Sequence, residues 1–318
     1  MGALTAEQKE FFAENGYLVA RGAAAPGLRQ AIVAEYEAKL QELIADWIAA
    51  GRMAADQAGL PFKESIMASY AAGCDFFQPL DISLPGGDIG PDTPMHASPA
   101  VFALMVSDGI LDIMEDLLGP EILSNPIQHV RIKPPSRILS GDEHRSHITH
   151  TAWHQDRGVA RASADQTSMV TVWVAITDAD EQNGCLQVIP GSHKGELLGH
   201  CPQPQAGIPA NLMDESKARP LPVKAGDAIC FHPLTIHGAM ANVSERLRWS
   251  FDLRYSKAGE PTGREEFPDF VARSRANPAS ELRDAAEWER MWAATKENLT
   301  GVKDLRLHRW SQDAPICA

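Results

Sequence analysis

The sequence predicts a mainly β protein with flanking α-helices, its strands forming a barrel or double-sheet jelly roll. Three observations carry this reading. From about Ile122 the chain breaks into short β-rich runs punctuated by Gly, Pro, Asn and Asp, with no helical pattern between them. Before that point, and again towards the C-terminus, apolar residues recur at three- and four-residue steps. No internal repeat or low-complexity linker divides the 318 residues. The expectation is therefore one domain over 1–318, with a helical part over about 1–121, a β core over about 122–256 and a helical part over about 257–318.

Taken in order, Thr5 and Gln8 form a capping box for a first helix that Gly16 ends. Tyr17 to Ala20 is a short extended run. A second helix starts near Pro26 and carries Leu28, Ile32, Tyr36, Leu40, Leu43 and Trp47 along one face. From Gly51 to Pro94 the pattern is irregular, broken by Pro79, Pro85-Gly86-Gly87 and Pro91. Helical spacing returns at Val101 and Met105, then at Ile110, Ile113, Met114 and Leu117, and Gly119-Pro120 stops it. The β-rich runs are Ile127 to Ile132, Met169 to Ile176, Cys185 to Ile189, Ala228 to Phe231 and Trp249 to Tyr255. Ser280 to Leu299 returns to helix, with Trp288, Met291 and Trp292 on one face.

Composition narrows the function. Hydrophobic residues are 44% and charged residues 22%, as in an ordinary globular protein rather than a disordered one. The net charge of -13 repels phosphate backbones and anionic bilayers, so neither a nucleic-acid nor a membrane partner is expected. No stretch is long and apolar enough to cross a membrane. MGALTAEQKEFF lacks the basic start and apolar run of a secretory leader, which points to a cytoplasmic address. The five cysteines are scattered without a CxxC pair, so neither a zinc knuckle nor a disulfide framework is expected, and a reducing compartment fits. What remains is a monomer or homodimer acting on a small molecule.

Three short segments carry chemistry. His154-Gln155-Asp156 is an H-x-D triplet, and residues two apart on a strand share a face. Taken alone, a surface pair or a core histidine explains it as well. His237, in Phe231-His232-Pro233-Leu234-Thr235-Ile236-His237-Gly238, is far enough along for the chain to leave a barrel and return. Two histidines and one carboxylate are the ligand set of non-haem Fe(II) oxygenases. His232 competes with His237 for that role. Arg248, Arg246 and Arg254 share parity beyond His237, and spacing does not choose among them. A non-redox cupin-like binding protein and a zinc hydrolase using the same triad are the readings from other classes.

Several longer runs make the sequence recognisable: IKPP at 132–135, WHQD at 153–156, VWVAITDADEQNGCLQVIPGSHKG at 172–195 and GDAICFHPLTIHGAMAN at 226–242. With the opening LTAEQKEFFAENGYLVARG, the chain resembles the phytanoyl-CoA dioxygenase family of Fe(II)- and 2-oxoglutarate-dependent oxygenases. The resemblance implies a double-stranded β-helix (jelly roll, cupin-like) core, Fe(II) as cofactor, 2-oxoglutarate as cosubstrate, and O2. It implies His154, Asp156 and His237 as iron ligands and Arg248 as the residue holding the distal carboxylate of 2-oxoglutarate. Trp173, Gln155 and His129 are implied beside the cosubstrate. Ala239 departs from the family, whose members often carry a serine there, and Ser250 is the candidate replacement. Asp156 stands where related halogenases have a small residue, so hydroxylation is implied; desaturation, epoxidation and ring closure use the same oxidant. Arg157, Arg131 and Arg161 are candidates for a substrate carboxylate, against the commoner role of solvated surface charge. His144, His147 and His150 are read as a lid edge before a second metal site, His200 to Arg219 as a lid, and Ser192-His193 as a structural turn.

Overall fold

The computed structural model describes residues 3–317. Its helices are α1 (Ala6–Asn15), α2 (Pro26–Ala49), α3 (Phe62–Ala71), α4 (Phe77–Leu80), α5 (Pro99–Met105), α6 (Asp108–Leu118), α7 (Asp156–Val159) and α8 (Ala285–Leu299). Its strands are β1 (Tyr17–Ala20), β2 (Glu121–Lys133), β3 (Thr151–His154), β4 (Met169–Ala175), β5 (Leu186–Val188), β6 (Arg219–Leu221), β7 (Ala228–Phe231), β8 (His237–Ala239), β9 (Arg248–Lys257) and β10 (Phe270–Ser274). They form a six-stranded sheet in the order β1-β7-β4-β9-β2-β10 and a four-stranded sheet in the order β3-β8-β5-β6. Every strand pair is antiparallel, as a jelly roll requires.

Strand alternation divides the large sheet between two cores. Val170, Val172 and Val174 of β4 and Trp249, Phe251 and Leu253 of β9 join the cluster built with the helices. There they share a core with Ile32, Tyr36, Leu40, Ile44 and Trp47, the buried stripe of α2. Trp173 and Ala175 of β4, with Ile229 and Phe231 of β7, belong instead to the cluster that includes Leu186, Val188, Leu221 and Ala239 of the small sheet. The second surface of β2 and β9 is polar: His129, Arg131 and Lys133 face the register partners Asp252, Ser250 and Arg248. A buried polar wall on one face of a sheet whose other face is apolar is the groundwork of a site.

The capping box at Thr5 forms as expected, and Gly16 takes the left-handed conformation at φ 76° that ends α1. Three features differ from the sequence-based expectation. First, α3 forms inside the stretch that looked irregular, starting after Pro61 and burying Ser65, Ile66 and Ser69. Two small hydroxyl residues at core positions hide a helical stripe from a hydrophobic pattern. Secondly, β1 and β10 lie outside 122–256 yet form the two edges of the large sheet, with Tyr17 opposite Phe231 and Phe270 opposite Ser124. Thirdly, Cys201 and Cys317 form a single disulfide where the scattered cysteines suggested no disulfide framework. The C-terminal tail folds back on the 200 segment, where Trp310 stacks on His200 at 5.0 Å. Sequence spacing cannot show a contact across 116 residues. Cys74, Cys185 and Cys230 are free and buried. Among the described residues no helix is long and apolar enough to cross a membrane.

Candidate metal and cosubstrate site

His154 is the last residue of β3 and His237 the first of β8, and the two are register partners. That pairing sets their imidazoles side by side, with ring centroids 4.2 Å apart. After Gln155 the chain leaves the strand, and Asp156 opens the helical turn α7. The carboxylate reaches the histidines through this turn, rather than by the alternation along one strand that the sequence suggested. His154 Nε2 lies 3.7 Å from Asp156 Oδ1, and His237 Nε2 lies 3.7 Å from Oδ2. One potential ligand atom from each residue falls within 4.8 Å of the others, and all three residues are buried. This is the only such group among the described residues.

The donor set fits a transition metal. Nδ1–H of His154 donates to Ala152 O and Nδ1–H of His237 donates to Thr235 O, each at 2.9 Å. Those bonds fix the tautomers and leave both Nε2 lone pairs turned towards the carboxylate. Burial, then repulsion from His237, pushes His154 down to about 3, so it is a neutral ligand at ordinary pH. Burial alone would raise the Asp156 carboxyl, but Arg254, His237 and His154 outweigh it and hold it well below the usual carboxylate range. Asp156 Oδ2 is buried without a hydrogen-bond partner. Two imidazole nitrogens and an orphaned carboxylate oxygen are donors for a divalent first-row metal.

A narrow cavity opens from the triad, lined by Thr151, Trp173, Leu186, Phe231, Arg248 and Asp252 among others. Phe231 stacks on His237 at 4.4 Å. Arg248 is 1% exposed and lies over the Trp173 ring at 5.4 Å. Its Nη1 donates to Ser250 Oγ at 2.7 Å, its Nε has no partner, and no carboxylate pairs with it among the described residues. Burial pushes this guanidinium down to about 9. Arg246 is exposed and bonded to both oxygens of Asp180, whereas Arg254 is committed to Asp156 and to Ile127 O. Arg248 is thus the one of the three arginines that lines the cavity without a carboxylate partner.

The remaining sequence candidates divide. Arg131 lines the cavity and is paired with Asp252 at 2.6 Å. Ser250 is buried and supports Arg248. His129 is not in this cavity; its Nδ1 is bonded to Asp81 at 2.8 Å and it lines a neighbouring, larger one. Gln155 is corrected: its side chain bonds Glu196 O, Leu234 O and Leu198 N, so it ties loops together and does not reach the cosubstrate cavity. Arg157 is corrected too, because its guanidinium donates to the carbonyls of Ala164 and Thr167. Arg161 is committed to Glu266 at 2.5 Å and to Arg306 O. His232 accepts from Leu234 N and stays outside the triad. The PGSH turn is structural, with Ser192 Oγ accepting from Ile236 N and His193 donating to Ala13 O. His147 stacks on Phe77 at 4.2 Å, whereas His150 and His144 lie outside that cavity wall. Sequence reasoning missed Lys133, fully buried beside Arg248 with Nζ on Thr151 Oγ1, and Asp252. Their parity with Arg131 and Arg248 was the available signal.

The family model described as phytanoyl-CoA dioxygenase (PhyH) matches residues 12–250. The peroxisomal phytanoyl-CoA dioxygenase of Bos taurus is 26% identical over 264 residues, covering 80% of this chain and 69% of that protein. The Mus musculus protein of the same name is 25% identical over 310 residues, covering 95% and 80%. Among solved structures, the non-heme monooxygenase ThoJ superposes with a TM-score of 0.60 at 20% identity, covering 92% of this chain and 96% of that one. The epimerase SnoN, in complex with Fe3+, alpha ketoglutarate and nogalamycin RO, gives 0.52 at 21%, covering 81% and 86%. A jelly-roll core with a buried His/Asp/His group marks the class of non-haem, 2-oxoglutarate-dependent oxygenases. Within it, this chain belongs to the phytanoyl-CoA dioxygenase family, with iron as cofactor and 2-oxoglutarate as cosubstrate.

Proposed function

We propose that the protein hydroxylates an unactivated C–H bond of a small organic molecule, with His154, Asp156 and His237 holding Fe(II) and Arg248 holding the distal carboxylate of 2-oxoglutarate. The observation that carries the reading is the buried, unpaired Arg248 guanidinium in the cavity that opens from the triad. A guanidinium in that state is costly unless an anion completes it, and its fork matches a carboxylate bidentately. When bound, the iron supplies the oxidation: substrate, 2-oxoglutarate and O2 become hydroxylated substrate, succinate and CO2.

The chain's own residues do the rest. Ala152 O and Thr235 O hold the two imidazoles in one tautomer. Ser250 orients Arg248, and Trp173 supports it from beneath with a cation–π contact. Ser250 is bonded to Arg248, so its hydroxyl serves the arginine. Leu186, Phe231 and Trp173 supply the apolar part of the cavity wall. Asp156 supplies a third protein ligand where a halide site needs a small residue, which favours oxygen insertion.

The test is anaerobic addition of Fe(II) and 2-oxoglutarate to the full chain. A weak visible charge-transfer band is expected, along with succinate release once O2 is admitted. A protein fully loaded with iron that shows no band overturns the reading.

A further inference from the structure

Five of the described arginines are more than nine-tenths buried: Arg157, Arg248, Arg254, Arg264 and Arg273. Arg157 is satisfied by two carbonyls, Arg254 by Asp156 and Ile127 O, and Arg273 by Asp108, Asp112 and Glu115. Arg248 belongs to the cosubstrate cavity. Arg264 is the remaining one. Its Nε and Nη1 are buried without a partner, and Nη2 has only two long contacts of 3.4 Å, to Val159 O and Leu307 O. Among the described residues no carboxylate lies within ion-pair distance of it: Glu266 gives its Oε1 to Arg161 and keeps Oε2 buried without a partner, and it and Asp81 favour the Arg264 charge only from further off. Burial, then repulsion from Arg254 and Arg161, pushes it down to about 9.

Arg264 lines a cavity of about 810 Å³. That lies within the range of small-molecule sites. Phe77, Leu84, Leu305 and Leu307 supply apolar wall, and His129 and His147 supply aromatic wall with polar edges. His129, in the wall of this cavity, is the register partner of Asp252, which lines the triad cavity, and it is two residues from Arg131 on the same face of β2. The two cavities thus share β2 as a wall, with Arg131 on one and His129 on the other.

We propose that Arg264 recognises an anionic oxygen group, a carboxylate or a phosphate monoester, on a primary substrate whose body is apolar. This rests on the oxygenase reading above and names the chemistry of the substrate that reading leaves open. The buried guanidinium has the same unfinished state as Arg248, in a second cavity of substrate size. An acidic protein that keeps there a cation backed only by the Phe267 ring and two long carbonyl contacts gains selectivity for anions that its surface otherwise repels.

The test uses calorimetry on the anaerobic full chain loaded with Fe(II) and saturated with 2-oxoglutarate, so that Arg248 is already occupied. The probes are octanoate, octyl phosphate and 1-octanol. At least one anion should bind about tenfold more tightly than octanol, and Arg264→Gln should abolish that difference. 2-Oxoglutarate affinity should stay within about twofold, because Arg264 lies outside its cavity. Arg264→Lys should retain part of the anion preference. Preference for octanoate identifies a carboxylate, and preference for octyl phosphate a phosphate. The proposal fails if octanol binds as well as both anions, if neither anion binds, or if the preference survives in Arg264→Gln. If Arg264→Gln does not fold, undiminished anion preference in Arg264→Lys counts against it. Failure of the oxygenase reading is seen separately, as absence of the charge-transfer band in the unmodified protein before any probe is added.

Discussion

Arg254 of β9 is ion-paired with Asp156 through Oδ1, while Oδ2 of the same carboxylate is left without a hydrogen bond. The two oxygens are thereby distinguished: one is satisfied by the protein and the other is free to meet a metal. Arg254 is itself anchored, its Nη1 donating to Ile127 O at 2.9 Å. The carboxylate is thus fixed by the large sheet and the imidazoles by the small one.

This pairing changes what the triad variants should do. From sequence, alanine at any of the three positions is expected to remove metal binding and spare the fold. His154→Ala and His237→Ala should still behave so. Asp156→Ala also strands a guanidinium that is 3% exposed, and breaking a buried pair costs roughly 3–5 kcal/mol. Asp156→Asn keeps an oxygen for Arg254 and should lose metal with a smaller loss of stability. Urea unfolding and iron titration of the four variants check this; equal stability of Asp156→Ala and Asp156→Asn would refute it. His232→Ala should retain iron.

Gly238 adds a steric test. A Cβ at Gly238 would sit 2.8 Å from Thr151 O on the paired strand. Gly238→Ala must therefore push β8 from β3 and separate His237 from His154, its partner in the register. The expected result is metal affinity lowered by about tenfold or more and a stability loss of about 1–3 kcal/mol, as for overpacked sites. Gly141→Ala, with nothing within 4 Å, is the control. Unchanged iron affinity in Gly238→Ala would show that the strand pair yields without moving His237.

Acid should loosen the H-x-D segment through His200. Its Nε2 accepts from Gln155 N and its Nδ1–H donates to Leu198 O, so the neutral ring is built in. Burial is the main cause that pushes it down to about 4, and His232 is pushed down to about 4 likewise. The unfolded chain takes up these protons near pH 6.5 and the folded chain only near 4, so between those values the unfolded state binds more. Stability from these groups is fully present above about pH 6.5 and is lost as pH falls towards about 4. Thermal unfolding of the unmodified protein should show Tm falling over that window, and His200→Gln should flatten the fall. An identical pH profile for the variant would rule His200 out as a contributor.

Long matching runs made His154, Asp156 and His237 legible in the sequence, and the structure brings the three together, whereas Arg248 lies outside those runs and spacing did not choose it over Arg246 or Arg254. The sequence did not reveal how the three meet. β3 and β8 have only four and three residues, too short for alternation to show, and Asp156 arrives by a helical turn. Arg157 and Gln155 looked like site residues because they adjoin Asp156, yet adjacent side chains diverge, and both are spent on backbone groups of neighbouring loops. Arg264 drew no notice because nothing in its local pattern tells an unpaired guanidinium from a paired one. Only the positions of the surrounding carboxylates do.

Arg248 offers the sharpest discrimination among the three β9-side arginines. Charge-assisted hydrogen bonds contribute roughly 1.5–3 kcal/mol each, and removing one partner leaves the other desolvated. About 1.4 kcal/mol corresponds to a decade in affinity, so Arg248→Ala should weaken 2-oxoglutarate binding by at least about tenfold. The charge-transfer band, titrated with 2-oxoglutarate in the absence of O2, reads this without any primary substrate. Arg248→Lys should recover only part, since an ammonium lacks the planar fork that Ser250 and Trp173 hold in place. Arg246→Ala should change nothing, because that side chain is exposed on Asp180. Arg254→Ala should act at a different step: it frees Asp156, so iron affinity should fall, and 2-oxoglutarate affinity measured at saturating iron should move much less. A tenfold loss of 2-oxoglutarate affinity in Arg254→Ala, with Arg248→Ala unaffected, would reverse the two assignments.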